Sequence, residues 1–554
     1  VVPTDRPSIE IGAPLAADAA IGGDGTLGGI LVELAARFGP RTALVTPAGR
    51  WTYAELRAGA TAVAKGLLAT GVAPGERVGV LMPNGFEWVA ATFGAALLGA
   101  VPVPMSVLSS LPEQEAAFGL VGARVLLAAA EVGGRPLAGP LADAHPALAG
   151  AGAQPVDDGP FTLARLVCAG AAPAGVERWD DLLAAGSAVP DAAVDQARAA
   201  AGGAGEAIIL FTSGTSGVPK AVVHGHLAPR LQPTVWARMQ MIRPDERIFS
   251  SYPFCWSSGF ARSLVACLSV GACLVTVDHF EPARVLALME AEQVTMAVTP
   301  PAGHLDLRLA EHPDFALRDL SALVRPANPT LAEPLGVAQW RSTGYGLTET
   351  FTLVTASPAD HSDHEPAGSA GKVLPGWTIK VTDPDTGQVV PRGTVGQFRV
   401  QGPALMRGYH GRPGSPFDES GFFVTPDVGS LDDDGFLWFS SRIDDIVRSA
   451  GVNVSTTELE RELAADDRVR LAVVVGLPHP SLGQALVACI VKEDEALSAD
   501  DVVAWLRPRV ASYKIPRAVL FFADGDIAYT MSQKVQLADL RDQAARRVAE
   551  AGLW

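Results

Sequence analysis

The chain lacks the marks of several protein classes, and each absence narrows what it can be. Its five cysteines, Cys168, Cys255, Cys267, Cys273 and Cys489, show no C-x-x-C spacing. Their odd number suits free thiols better than a disulfide framework and argues against cysteine-based metal binding. Basic excess is missing too: 43 Lys and Arg face 60 Asp and Glu, a formal net charge of −17. That balance argues against a nucleic-acid surface, so any polyanion must be held by a local pocket. Residues 1–25 have neither the basic start nor the apolar core of a signal peptide, and they read as a flexible leader in a cytoplasmic chain. The one long uncharged stretch, Trp88 to Pro112, is punctuated by Gly94, Gly99, Pro102 and Pro104. It reads as a buried helix followed by a buried strand, with no membrane span. No solenoid or propeller period is present.

What is present is enough chain for two or more domains, since 554 residues exceed what one hydrophobic core supports. Helical patterns at Trp51 to Leu68 and Phe86 to Leu98 alternate with apolar runs at Arg77 to Met82, Ala123 to Ala129 and Ala272 to Val277. Such alternation predicts α/β layers with mostly parallel strands. Residues from about 132 to 205 are rich in Ala, Gly and Pro and read as surface loops and helices. After about Gly368 short strands separated by Gly, Pro and Asp turns predict a β-rich subdomain. Beyond Arg442 three strand-like runs interleave with helical stretches at Ser455 to Ala465 and Ala499 to Arg509, a small α+β domain. The expected organisation is an N-terminal domain over 26–441, its β-rich part at about 368–441, and a C-terminal domain over 442–554.

The most informative segment is FTSGTSGVPK, Phe211 to Lys220. Thr212, Ser213, Thr215 and Ser216 offer hydroxyls, and Gly214 and Gly217 let backbone N–H groups turn toward an anion. Lys220 adds a point charge, and the flanking runs Ala207 to Leu210 and Ala221 to Val223 read as buried strands. The segment is not a Walker loop, because Pro219 precedes the lysine and Ala221 follows it. It resembles the signature loop of the adenylate-forming superfamily, on the acyl-CoA synthetase or acid-CoA ligase branch, and further segments from about Thr26 to Arg541 match that superfamily in order and spacing.

The resemblance implies a large N-terminal domain, a small mobile C-terminal domain and the use of ATP, Mg2+ and CoA. In STGYGLTET it places an adenine-stacking ring on Tyr345, beside Gly346, a phosphate-binding hydroxyl on Thr348 and a Mg2+-holding carboxylate on Glu349. A flat π face suits a purine, and a carboxylate beside a triphosphate favours a hard cation. It places ribose contacts on Asp427 and Arg442, a hinge on Asp444, the loop bordering the pantetheine tunnel at Gly451, and the adenylation lysine at Lys534. The adenine-side loop departs from the family's small-residue pattern, reading RPANP with Asn328 and Pro326, and the lysine loop reads MSQK where a glycine usually precedes the lysine. In YPFCWSSGF, Trp256 and Gly259 are expected in the wall of the acid pocket. Cys255 to Phe260 offers no acidic residue for an α-ammonium, which favours an apolar or bulky acid, aryl, fatty or terpenoid. Three functions follow: an acid-CoA ligase, an adenylating enzyme that delivers to a carrier protein or partner enzyme in trans, and a non-catalytic or partial-reaction binder. The partners implied are a small carboxylic acid, ATP and CoA, with the chain a monomer or homodimer.

Overall fold

The computed structural model describes residues 4–148, 163–212, 219–299, 305–340, 343–357, 365–442, 446–449, 452–480, 482–510, 514–529 and 534–554. Two sheets form the α/β body. One has five strands in the order Glu177–Arg178, Arg165–Ala169, Val125–Ala129, Arg77–Leu81, Val101–Pro104, all parallel. The other has six, in the order Arg325–Pro326, Met296–Val298, Arg247–Ser250, Cys273–Val275, Thr42–Thr46, Gly49–Thr52, parallel except for the final hairpin. Between them lie helices Tyr53–Ala69 and Phe86–Leu97. The first starts where T-Y-A-E supplies a capping box: Glu55 N donates to Thr52 Oγ1 at 3.2 Å and Thr52 N to Glu55 Oε2 at 2.7 Å. The uncharged stretch resolves into Phe86–Leu97 and Val101–Pro104, as read. Among the described residues no helix is long and apolar enough to cross a membrane.

Two differences from the sequence reading stand out. Arg165–Ala169 is a buried central strand inside the region read as loops and helices, because RLVCA is too short to show a period against its Ala- and Gly-rich surroundings. The stretch read as a flexible leader is packed: Ile9–Ile11 pairs antiparallel with Thr378–Thr382, and Arg392 Nη2 bonds Ile9 O at 2.7 Å and Glu10 Oε2 at 2.6 Å. Three alternating residues gain a partner only when the distant sheet edge is present.

The β-rich part is one antiparallel sheet ordered Ile9–Ile11, Thr378–Thr382, Gly396–Gln401, Phe423–Leu431, Leu437–Arg442. Two hairpins join it to the α/β body. Glu206–Thr212 pairs antiparallel with Lys220–Gly225, which then pairs with Gly408–Tyr409. Gly344–Leu347 pairs antiparallel with Thr352–Ala356. The C-terminal part is α+β: the long hairpin Val469–His479 and Gly483–Lys492 carries Ala518–Phe522 in parallel, with helices Thr456–Ala464, Ala499–Leu506 and Leu537–Glu550 on its faces. Its apolar residues form two clusters of their own, one on each face of that sheet.

Candidate active site

The site is assembled where the two hairpins meet the β-rich sheet. Thr212 and Lys220 face each other in register at the mouth of the first hairpin, on either side of the anion loop. Ser213, Gly214, Thr215, Ser216 and Gly217 lie outside the described residues. Side chains on a strand alternate, so stepping by two from Lys220 puts Val222 and His224 on its face. His224 is fully buried, and its Nε2–H donates to Thr348 O at 2.8 Å. Burial pushes its pKa down to about 4, so the ring is neutral.

The second hairpin carries the densest set of site residues. It turns through Thr348–Thr350 and Phe351, whose φ of 61° is unusual for a bulky residue. Such a conformation persists only when its surroundings hold it. Here His224 grips Thr348, while Gln232 Nε2 donates to Thr350 O at 3.1 Å and Leu353 O at 2.9 Å, bracketing Phe351. Gly346 is required by close approach, since a Cβ there would stand 1.8 Å from Thr352 O. The hydroxyl of Thr348 has no hydrogen bond among the described residues. Glu349 is buried, and Tyr409 Oη donates to its Oε1 at 2.7 Å. The same Tyr409 ring lies 5.5 Å from Lys220 Nζ. Burial, then the Glu349 charge and hydrogen bond, hold the Tyr409 hydroxyl well above its ordinary pKa, so it stays a donor. Among the described residues the second oxygen of Glu349 has no partner, which fits one carboxylate ligand to a Mg2+ otherwise bound by phosphate and water. No group of three or more His, Cys, Asp or Glu suited to a metal occurs among the described residues.

Across the site, Asp427 sits in register opposite Arg442. Tyr345 Oη donates to Asp427 Oδ2 at 2.8 Å, and Arg442 Nε lies 3.3 Å from Oδ1. Oδ1 is buried yet accepts no well-aligned hydrogen bond, an open acceptor suited to a hydroxyl. Burial raises the Asp427 pKa; the Tyr345 hydrogen bond, Arg442 and Lys534 pull it back. Lys534, from the C-terminal part, is thus within electrostatic reach of Asp427. Near it in the chain, Gln536 N bonds Ala528 O at 2.8 Å and Gln536 Nε2 bonds Tyr529 O at 3.0 Å. The Tyr345 ring is buried, edge-on to Phe398 and nearly parallel to exposed Phe439 at 6.3 Å.

Asn328 is drawn away from the cluster. Its Oδ1 caps helix Pro329–Leu335 by accepting from Thr330 N and Oγ1, both at 3.1 Å. Arg325 of the same RPANP loop points inward, stacked 3.7 Å from the Trp340 ring centroid and paired with Glu246. Trp256 is partly exposed in the turn Pro253–Trp256, and Gly259 is buried where a Cβ would stand 1.9 Å from Pro253 O. Asp444 and Gly451 lie outside the described residues. His224, Gln232 and Tyr409 were not singled out from sequence. Strand alternation from Lys220 signals His224, whereas nothing local marks Tyr409 or Gln232.

A family model described as AMP-binding enzyme matches residues 31–410, and one described as AMP-binding enzyme C-terminal domain matches residues 458–534. The chain is 30% identical over 516 residues to a feruloyl-CoA synthase of Amycolatopsis sp, covering 88% of this chain and 93% of that protein. It is 28% identical over 535 residues to the putative acyl-CoA synthetase YngI of Bacillus subtilis (strain 168), covering 94% and 97%. Among solved structures it is similar to a Mycobacterium tuberculosis fatty acyl CoA synthetase, with a TM-score of 0.70, 27% identity and coverage of 94% and 98%. It is also similar to the anthranilate CoA ligase AuaEII in complex with anthranoyl-AMP, with a TM-score of 0.77, 25% identity and coverage of 93% and 96%. The chain belongs to the AMP-binding enzymes, the adenylate-forming superfamily, on its acyl-CoA ligase branch.

Proposed function

We propose that the protein is an acid-CoA ligase that activates a carboxylic acid with ATP and passes the acyl group to CoA. The observation that carries this reading is the Tyr345–Asp427–Arg442 cluster, whose buried carboxylate keeps one open acceptor and feels the charge of Lys534 from the C-terminal part. In the first step a carboxylate oxygen of the acid bonds to the α-phosphorus of ATP and pyrophosphate leaves. Asp427 and Arg442 hold the ribose, with Oδ1 of Asp427 accepting from a hydroxyl. Tyr345 faces adenine, with Phe439 continuing the aromatic surface beside it, and the Asn328 loop contributes backbone. Thr212, the Ser213–Gly217 loop and Lys220 cradle the departing phosphates. Thr348 and Lys534 offset charge gathering at the α-phosphate, a contribution of electrostatics and positioning. Glu349, fixed by Tyr409, would hold Mg2+, which when bound screens phosphate charge.

In the second step the CoA sulfur bonds to the acyl carbon and the carbon–oxygen bond to AMP breaks. The C-terminal domain turns about Asp444, withdraws Lys534 and presents the Gly451 loop. No residue named here is assigned as the base for the thiol proton. Trp256 and Gly259 border the acid. Relatives are named for feruloyl-CoA, fatty acyl-CoA and anthranilate chemistry alike, so the choice of acid rests on this chain's own pocket.

Acid-dependent exchange of labelled pyrophosphate into ATP tests the first step across a panel of acids. Lys534→Ala is expected to lower the exchange rate by about 100-fold or more, as for removal of a charge-stabilising donor. An unchanged rate rejects the role of Lys534. Mass spectrometry after adding CoA is expected to find acyl-CoA, and acyl-AMP stalled in the presence of CoA rejects the ligase reading.

A further inference from the structure

The helix that follows Trp256 is a π-helix, Gly259–Val265, an uncommon geometry that concentrates at functional sites. It buries every residue except Arg262. The Arg262 guanidinium lies with Cζ 4.1 Å from the Trp236 ring centroid and 6.0 Å from that of Tyr252. Trp236 belongs to Ala228–Met239, the helix that runs on from the phosphate hairpin and whose Gln232 braces the Thr348–Phe351 turn. Tyr252 opens the segment that leads to Trp256. The guanidinium therefore sits between the two elements that flank the acid side of the site.

Its electrostatic setting is unlike that of the other inward arginines. Arg325 pairs with Glu246, Arg247 with Glu292, and Arg392 with Glu10 at 2.6 Å. Among the described residues Arg262 has no carboxylate within ion-pair distance and no hydrogen bond, and its Nε is buried without a partner. Burial lowers its pKa from the ordinary arginine value while Tyr252 raises it, yet a guanidinium stays charged in either case. Stacking on one indole covers one face of the guanidinium and supplies no acceptor for its N–H donors, while the residue stays partly exposed. A planar fork of donors with no protein acceptor is matched by a carboxylate.

We propose that Arg262 receives a second carboxylate on the acid substrate, making the preferred substrate a dicarboxylic acid with one end adenylated and the other held by the guanidinium. This rests on the ligase reading above and narrows it, because the apolar segment Cys255 to Phe260 ends two residues short of the cation.

The test is pyrophosphate exchange with chain-matched pairs, straight-chain monocarboxylates of six to ten carbons (hexanoate to decanoate) against the α,ω-dicarboxylates of equal length, in wild type, Arg262→Leu and Arg262→Lys. The kcat/KM ratio of dicarboxylate to monocarboxylate is expected to be about tenfold or more in wild type and to fall by about 100-fold in Arg262→Leu, chiefly through KM. Arg262→Lys, which keeps the charge and loses the fork, is expected to fall between. The monocarboxylate is the internal reference, so a general folding defect cancels from the ratio. A wild-type ratio below one, or a ratio unchanged in Arg262→Leu, overturns the proposal and leaves the ligase reading standing. Exchange with neither member of any pair while another acid of the panel exchanges overturns the proposal alone, and exchange with no acid at all counts against adenylation itself and overturns both.

Discussion

His224 shows how one residue ties the hairpin of Glu206–Thr212 and Lys220–Gly225 to the turn Thr348–Phe351. Its Nε2–H holds Thr348 O at 2.8 Å while Nδ1 is buried without a partner, so protonation would bury a charge with no acceptor. The native pKa of about 4 lies below the unfolded value of about 6.5, so between those values the unfolded chain binds more protons than the folded one. Stability from this residue is therefore full above about pH 6.5 and is lost as pH falls toward 4, an effect of roughly 3 kcal/mol. His224→Gln keeps a donor for Thr348 and removes the titration. Its urea midpoint is expected to fall less than that of wild type between pH 7 and pH 4.5, and a parallel fall would show that His224 does not carry the effect. Tyr409 is the counterpart on the other side: by donating to Glu349 Oε1 at 2.7 Å it engages one of the two carboxylate oxygens.

At the scale of elements, the hairpin Gly344–Leu347 and Thr352–Ala356 owes its shape to a bulge at Tyr345/Gly346 and to the left-handed Phe351. Gly346→Ala would drive Cβ into the Thr352 carbonyl, 1.8 Å away, and the two strands would have to separate. A loss of about 2 kcal/mol or more, read as a lower melting midpoint, is expected together with loss of exchange activity. Gly205→Ala, which meets nothing within 4 Å, is the matched control and is expected to leave both in place. An equal response of the two variants would mean that the bulge tolerates a side chain. The existence of this hairpin's turn was legible in STGYGLTET; its bracing by Gln232 and His224 was not, because those residues precede it by 118 and 124 positions. At Asn328, expected on the adenine side, the following Pro329 starts a helix and the side chain caps it.

For the whole molecule, the large and small parts keep separate apolar clusters, with Val473, Leu477, Leu540 and Val548 among those of the C-terminal sheet. Calorimetry is expected to resolve two transitions, the smaller with an enthalpy of about 70 kcal/mol for roughly 100 residues. One transition with equal calorimetric and van't Hoff enthalpies would show a single folding unit. The two parts are linked electrostatically, since Lys534 of the C-terminal part pulls down the pKa of the Asp427 carboxyl. By itself the sequence determined what neighbours along the chain decide: the capping box at Thr52, the helix-strand alternation, the two apolar runs that pair as the first hairpin, and the order of segments that marks an adenylate-forming enzyme. The tertiary structure alone decided which distant groups meet. It put Tyr409 on Glu349, His224 on Thr348, Ile9–Ile11 on a sheet edge and Arg262 among rings with no acid beside it. Periodicity and turn chemistry act over a few residues, whereas those partners are chosen by packing across the fold, where burial makes an unpaired charge costly and its missing partner informative.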